Sequence, residues 1–158
     1  MIKRLDVEAL EIKRRDNLRQ LLLRASRAVN SQVVRGLHAK GHTSLRPTHT
    51  TLLSNLPLAG ANVTEAASRA GVSKQAIGRL ATELEKAGYL KQVSVKGDAR
   101  VRLLKLTDAG LELMVDSFGV MTSIEEHIER KIGTAKLEAL RFGLQFIAML
   151  EEDRGRSK

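Results

Sequence analysis

The sequence predicts a mainly α-helical fold that carries one small β-hairpin. Three observations predict it. Apolar residues recur at spacings of three and four along most of the 158 residues, which is the helical period. Between Val93 and Leu103 that spacing gives way to alternation on either side of a Lys96-Gly97-Asp98-Ala99 turn. Gly41, Pro47, Pro57, Gly60, Gly71, Gly88 and Gly133 punctuate the periodic stretches, so each stretch has a stop.

The elements follow in order. From Asp16 to about Lys40, Leu18, Leu21, Leu22, Ala25, Val29, Val33 and Leu37 mark one face of a long helix, which Gly41 ends. Arg46-Pro47 opens a short helix from about Thr48 to Leu56, because proline suits a first helical turn. Asn62-x-x-Glu65 has the form of a capping box for a two-turn helix, Val63 to Ala70. Its Ala66, Ala67 and Ala70 let another backbone approach. Ser73 caps the next helix, whose Ile77, Leu80, Ala81 and Leu84 face inward and which closes at Ala87-Gly88. In the hairpin, Val93 and Val95 answer Val101 and Leu103. Thr107 caps a long helix striped by Leu111, Met114, Val115, Phe118, Met121, Ile124, Ile128 and Ile132. Gly133-Thr134 opens a final helix with Leu137, Leu140, Leu144, Ile147, Ala148 and Leu150 on one side, and Phe142, Phe146 and Met149 on a second. So wide an apolar band predicts burial against a partner subunit; packing on the chain's own first helix is the alternative. Only Arg154 to Lys158 reads as unstructured.

Composition narrows the function. A 42% apolar, 28% charged chain of this length suits one soluble domain, residues 1–158. No 18-residue apolar run exists, so no membrane span is expected. The start, MIKRLDVEALEIKRRD, has no long apolar core and reads as neither secretory signal nor anchor. Absence of cysteine removes disulfides, Cys-ligated zinc and thiol chemistry, and makes the cytoplasm the simplest compartment. No Gly-rich phosphate loop, metal-ligand helix or nucleophile elbow is present. Glu125-Glu126 beside His127 reads as a solvated helix surface. The chain is therefore expected to be no enzyme and to need no cofactor. His38 and His42 have the i, i+4 spacing of a helical metal pair, but Gly41 near the helix end weakens it, and no metal site is expected.

The net charge of +9 is unevenly spread. Residues 1–46 carry +7 and residues 73–107 carry +5, whereas residues 108–158 carry −3. A polyanion fits that distribution, because neutralising phosphates releases counterions. With three Phe, one Tyr and no Trp, stacking platforms for single strands are scarce, so duplex DNA is the better expectation.

The helix capped by Ser73 presents Lys74, Gln75, Gly78, Arg79 and Thr82 on the face opposite its apolar one. Gln75 suits adenine, Arg79 suits guanine or a phosphate, and Lys74 with the free amides near Ser73 suits phosphate. Gly78 costs about 1 kcal/mol against alanine inside a helix. It leaves room for a base pair or the DNA backbone, or it accommodates helix packing. In the hairpin, Arg100 and Arg102 flank a tip with Lys96 and Gly97, and Asp98 is placed to pin Arg100 for a narrow minor groove. A helix for the major groove with a basic wing beside it is a winged helix-turn-helix layout.

The segments EAASRAGVSKQAIGRLATELEKAGYL, DAR and LLKLTDAG resemble the MarR family of winged helix-turn-helix transcriptional regulators, and helix order agrees along nearly the whole chain. The resemblance implies a homodimer on a pseudo-palindromic site, with residues 5–42 and 108–152 as dimerisation helices and 47–107 as the DNA-binding head. It places Lys74, Gln75 and Arg79 at the groove and Arg100 on the wing, and it implies a repressor. It further implies release by a small aromatic or anionic effector held between head and body, for which His38, His42, Arg46, His49 and Phe118 are candidates; their plainer role is as polar residues at a helix junction. The wing is about three residues shorter than the usual pattern, Ala99 replaces a common Pro or charged residue, and Gly78 replaces a frequent Ser. The rival reading is an architectural protein coating A·T-rich DNA, favoured by Lys13, Arg14, Arg15, Arg19, Arg24 and Arg27.

Overall fold

The computed structural model describes residues 7–95 and 98–155, with side chains over 10–94 and 102–149. Among these, seven helices run α1 (Val7–Asp16), α2 (Leu18–Ala39), α3 (Thr50–Leu53), α4 (Val63–Ala70), α5 (Lys74–Lys86), α6 (Asp108–Ile132) and α7 (Thr134–Gly155). A 3₁₀ turn, Pro47–His49, precedes α3, and the strands β1 (Leu90–Val95) and β2 (Asp98–Leu106) form one antiparallel hairpin. The mainly helical class with a single hairpin is as the sequence predicts.

The helix expected from Asp16 to about Lys40 is α2, and a further helix, α1, precedes it and meets it at Asn17. That residue has extended backbone (φ −72°, ψ 153°), and its side-chain oxygen accepts from the Gln20 amide at 3.0 Å. Its side-chain nitrogen donates to the carbonyls of Arg14 (2.7 Å) and Lys13 (3.3 Å). One amide thus satisfies the end of α1 and the start of α2, the groups a helix terminus leaves unpaired. The helix expected to reach Leu56 is shorter. After α3 the Ser54 and Asn55 amides still bond to Thr50 and Leu52, and the Asn55 side chain caps the Thr51 carbonyl at 2.9 Å.

The caps of the helix pair are as read. Asn62 accepts from the Glu65 amide at 2.9 Å, and Ser73 accepts from the Ala76 amide at 3.2 Å. The reciprocal half of the expected capping box is replaced, since Glu65 pairs with Arg69 one turn on, at 3.3 Å. Gly71 closes α4 with φ +64°, a left-handed conformation that glycine adopts without steric penalty.

Hairpin register matches the expectation at Val93↔Leu103 and departs from it at Val95, which pairs with Asp98 in place of Val101. A register shift after Ser94 causes this, leaving extra β2 residues near the tip. At its root the hairpin gains a third contributor. Ala61 exchanges both backbone bonds with Leu104 (3.2 and 2.8 Å), and Gly60, at φ +91°, allows the approach. A Cβ there would lie 2.7 Å from the Leu104 carbonyl oxygen.

The chain divides into two compact units, Met1–Phe118 and Gly119–Lys158. In the first, Leu52, Ile77, Leu84, Leu104 and Leu113 are essentially sealed from solvent. In the second, Val120, Ile124 and Leu137 are buried, and an Arg141–Glu125 pair at 2.6 Å joins α6 to α7. That pairing raises the Arg141 pKa, chiefly through its hydrogen bond to Glu125. The α6 stripe divides in a way its spacing does not reveal. Leu113, Val120 and Ile124 are buried, whereas Leu111, Val115 (69% exposed) and Phe118 (62%) face out. Apolar residues occupy two sides of this helix, and periodicity alone does not say which side the chain itself covers.

Gly110, in the first turn of α6, sits against the Tyr89 carbonyl oxygen, and a Cβ at this position would fall well inside contact distance. Gly110→Ala should therefore destabilise the first unit by about 1–3 kcal/mol, as overpacking against a backbone atom does. Urea denaturation of the variant beside the wild type reads that loss, and an unchanged midpoint would contradict it.

Candidate nucleic-acid interface

Helix α5 has a held side and an offered side. Ile77, Leu80, Ala81 and Leu84 are buried, packing the helix against α3, α4 and β1. Lys74, Gln75, Arg79 and Thr82 are exposed, and Ser73 stands exposed at the helix N-terminus. Ser73 caps the Ala76 amide, and the amides of Lys74 and Gln75 stand in the first turn, where a helix leaves N–H groups without intrahelical acceptors.

The two acids of α5 are turned toward the frame. Glu83 bonds to Arg46 and, at 3.0 Å, to His49 Nε2. His49 is 2% exposed, and its Nδ1 accepts the Arg46 backbone N–H at 3.2 Å. That bond assigns the ring hydrogen to Nε2, which therefore donates to Glu83. Glu85 accepts from the Gln92 amide (3.3 Å) and side chain (3.2 Å), fastening α5 to β1. Lys74 and Arg79 make no ion pair among the described residues. Sequence reasoning missed this sorting of charge; the one available signal was two acids in a helix that otherwise presents bases.

Gly78 lies within the offered side, and a Cβ built on it meets nothing within 4 Å. Among the described residues nothing packs where a side chain at this position would stand. Thr82 donates its hydroxyl to the Gly78 carbonyl at 3.0 Å. In the wing, Arg102 is exposed opposite Ser94, while Asp98 and Arg100 belong to β2 with side chains outside the described set. Lys96 and Gly97 also lie outside the described residues.

The expected effector residues are engaged in separate networks. His38 Nε2 bonds to the Leu45 carbonyl at 2.8 Å. His42 lies between the Tyr89 hydroxyl (3.0 Å) and Asp116 (3.1 Å), and Lys40 holds the other Asp116 oxygen at 2.9 Å. Those bonds, Lys40's first, hold the Asp116 carboxyl below the usual range. Arg46 and His49 belong to the Glu83 clamp, and Phe118 is exposed. An open depression of about 450 Å³ on α6 is lined by Asp108, Leu111, Glu112, Val115 and Asp116, none of them among the expected five. No group of three or more His, Asp or Glu suited to a metal occurs among the described residues. No described helix is long and apolar enough to cross a membrane.

Residues 43–101, which span the 3₁₀ turn, α3–α5 and most of the hairpin, match the model of the MarR family. Over this segment the chain is similar to the MarR family. Solved structures share the fold over most of the chain's length. CouR from Rhodococcus jostii RHA1, bound to p-coumaroyl-CoA, is 25% identical, with 84% of this chain and 92% of that one covered at a TM-score of 0.64. The transcriptional repressor CouR on a 23-mer DNA duplex aligns at 21% identity, 86% and 95% coverage and a TM-score of 0.65. Wild-type MarR from E. coli, in its apo form, aligns at 16%, 83% and 96% coverage and 0.67. Among curated proteins none matches the chain by sequence. The MarR-like head is thus shared, while identities this low leave the residues of the offered face to be read from this chain.

Burial raises the Glu83 pKa, but the His49 hydrogen bond, the largest influence, and Arg46 together hold it below its ordinary 4.5. A carboxylate with a lowered folded value stabilises above its unfolded value and loses that contribution as pH falls through the folded one. Glu83→Gln should therefore unfold more easily than wild type at neutral pH, and the gap should close on acidification below about 4.5. Thermal melting across a pH series checks this; a gap independent of pH would assign the loss to packing.

Proposed function

We propose that the chain is a sequence-specific, DNA-binding transcriptional repressor that acts as a homodimer on a pseudo-palindromic duplex site. The observation that carries this is the sorted charge of α5: unpaired bases and Gln75 point outward, while both acids are spent on the scaffold. A bare cationic patch would serve any polyanion. A cationic face with a bidentate amide at its centre suits a major groove. Lys74 and the helix N-terminus anchor phosphates, Gln75 and Arg79 read base edges, and Arg100 and Arg102 support from the wing. CouR, seen on a DNA duplex in the same fold, supports this reading.

Dimerisation is supported by α7, where Leu140, Phe142 (73% exposed), Leu144, Phe146 and Met149 are all exposed in the single chain. Large apolar side chains gathered exposed on one helix mark an interface. A dimer sets two reading helices about one DNA turn, ~34 Å, apart. Control by a small effector is supported by the CouR complex with p-coumaroyl-CoA. In this chain the Tyr89–His42–Asp116 relay, which joins the wing root to α6, gives such a ligand something to disturb.

Footprinting on fragments selected from genomic DNA tests the proposal: a discrete protected palindrome is expected, and uniform protection would favour a coating protein. On the selected site Arg79→Ala should cost about 1–3 kcal/mol of affinity in titrations at fixed salt. Undiminished binding would remove Arg79 from the interface. Replacing Phe142 and Phe146 together by Asp should convert the dimer to monomer in sedimentation, and a persistent dimer would move the interface elsewhere.

A further inference from the structure

Gly78 is the one position on the offered face of α5 that has no side chain. It lies one turn beyond Lys74 and one turn before Thr82, with Gln75 and Arg79 beside it. Helical glycine is unfavourable against alanine, and here the chain gains nothing from it, since a methyl would stand in open space. Gly119 and Gly143 also have open space above them, but they belong to α6 and α7, away from this polar ring. No described residue uses the gap at Gly78, which leaves it open to an occupant from outside the chain.

We propose that Gly78 forms a shallow notch that seats the 5-methyl group of a thymine, making an A·T pair the favoured reading there. The inference rests on the DNA-reading role proposed above. The chemistry of the rim supports a methyl over a polar group. Thr82 spends its hydroxyl hydrogen on the Gly78 carbonyl, so that carbonyl already has a donor, and the methyl is the remaining group of the Thr82 side chain. Threonine methyls and bare backbone are surfaces against which a thymine methyl packs. Gln75, one turn earlier on the same face, has the bidentate amide that matches adenine N6 and N7. An adenine-reading amide beside a methyl-sized hollow describes an A·T step from two directions. A guanine or cytosine in that register leaves the hollow empty and presents Gln75 with a mismatched edge.

The experiment is a thymine-to-deoxyuridine scan of the selected duplex, which deletes one methyl at a time and leaves every hydrogen-bonding group in place. One thymine per half-site should stand out, with wild-type affinity falling about three- to fivefold when its methyl is removed, the ratio expected for one buried carbon. Gly78→Ala, which fills the notch, should bind the thymine duplex about tenfold more weakly and lose the thymine-over-uracil preference. Its melting temperature should be equal to or above that of wild type, which separates the effect from misfolding. Thr82→Ser keeps the hydroxyl bond, removes the methyl one turn further along the same face, and should also reduce the preference. A discrete site with no uracil-sensitive position, or a preference that Gly78→Ala retains, overturns the notch and leaves the regulator intact. Absence of any discrete site overturns both.

Discussion

A helix can be read into a groove only if something behind it resists the push. In α5 that resistance has two parts. Ile77, Leu80, Ala81 and Leu84 are buried against α3, α4 and β1, which fixes the helix's rotation. Glu83 then locks its position along the axis through Arg46 and the enclosed His49 imidazole. Apolar contacts resist being pulled apart but slide easily. The hydrogen-bonded clamp supplies the direction that packing lacks. The outward face of α5 keeps its direction only because this inner one is fixed.

The clamp also settles an electrostatic conflict. Glu83 lies one helical turn from Arg79 and, left free, would be positioned to neutralise it. Committing Glu83 to Arg46 and His49, and Glu85 to Gln92, keeps the reading surface cationic without making α5 a helix of bases alone. The cost of ordering those carboxylates is met by hydrogen bonds that also join neighbouring elements. The same economy recurs at Asp116, where Lys40 and His42 meet one carboxylate and bring the end of α2, the Tyr89 hydroxyl and α6 together.

Much of this was legible in the residues. The apolar face of α5, the caps at Asn62, Ser73 and Thr107, the stop at Gly71 and the Val93–Leu103 pairing follow from local rules, and local rules are what a single sequence states. The two-way cap at Asn17 was not, because an asparagine ahead of an apolar-periodic run signals the start of the helix after it and not the end of one before it. The division of the α6 stripe between Leu113 and Leu111 was hidden because both sides are apolar. Among site residues, the outward set on α5 was visible from helical geometry. The Glu83–His49–Arg46 clamp was not, since its members are separated by more than thirty positions and meet only once the head has folded. Arg46 and His49, the effector candidates at this helix junction, are bonded to Glu83.

The bridge between Ala61 and Leu104 fastens β2 along both edges at its base, one to β1 and one to the segment entering α4. Load on the wing is thus borne where it leaves the head, with Leu90 and Leu104 buried beneath. The root of the wing and the head are thus one piece, as the tang of a blade is fixed inside its handle.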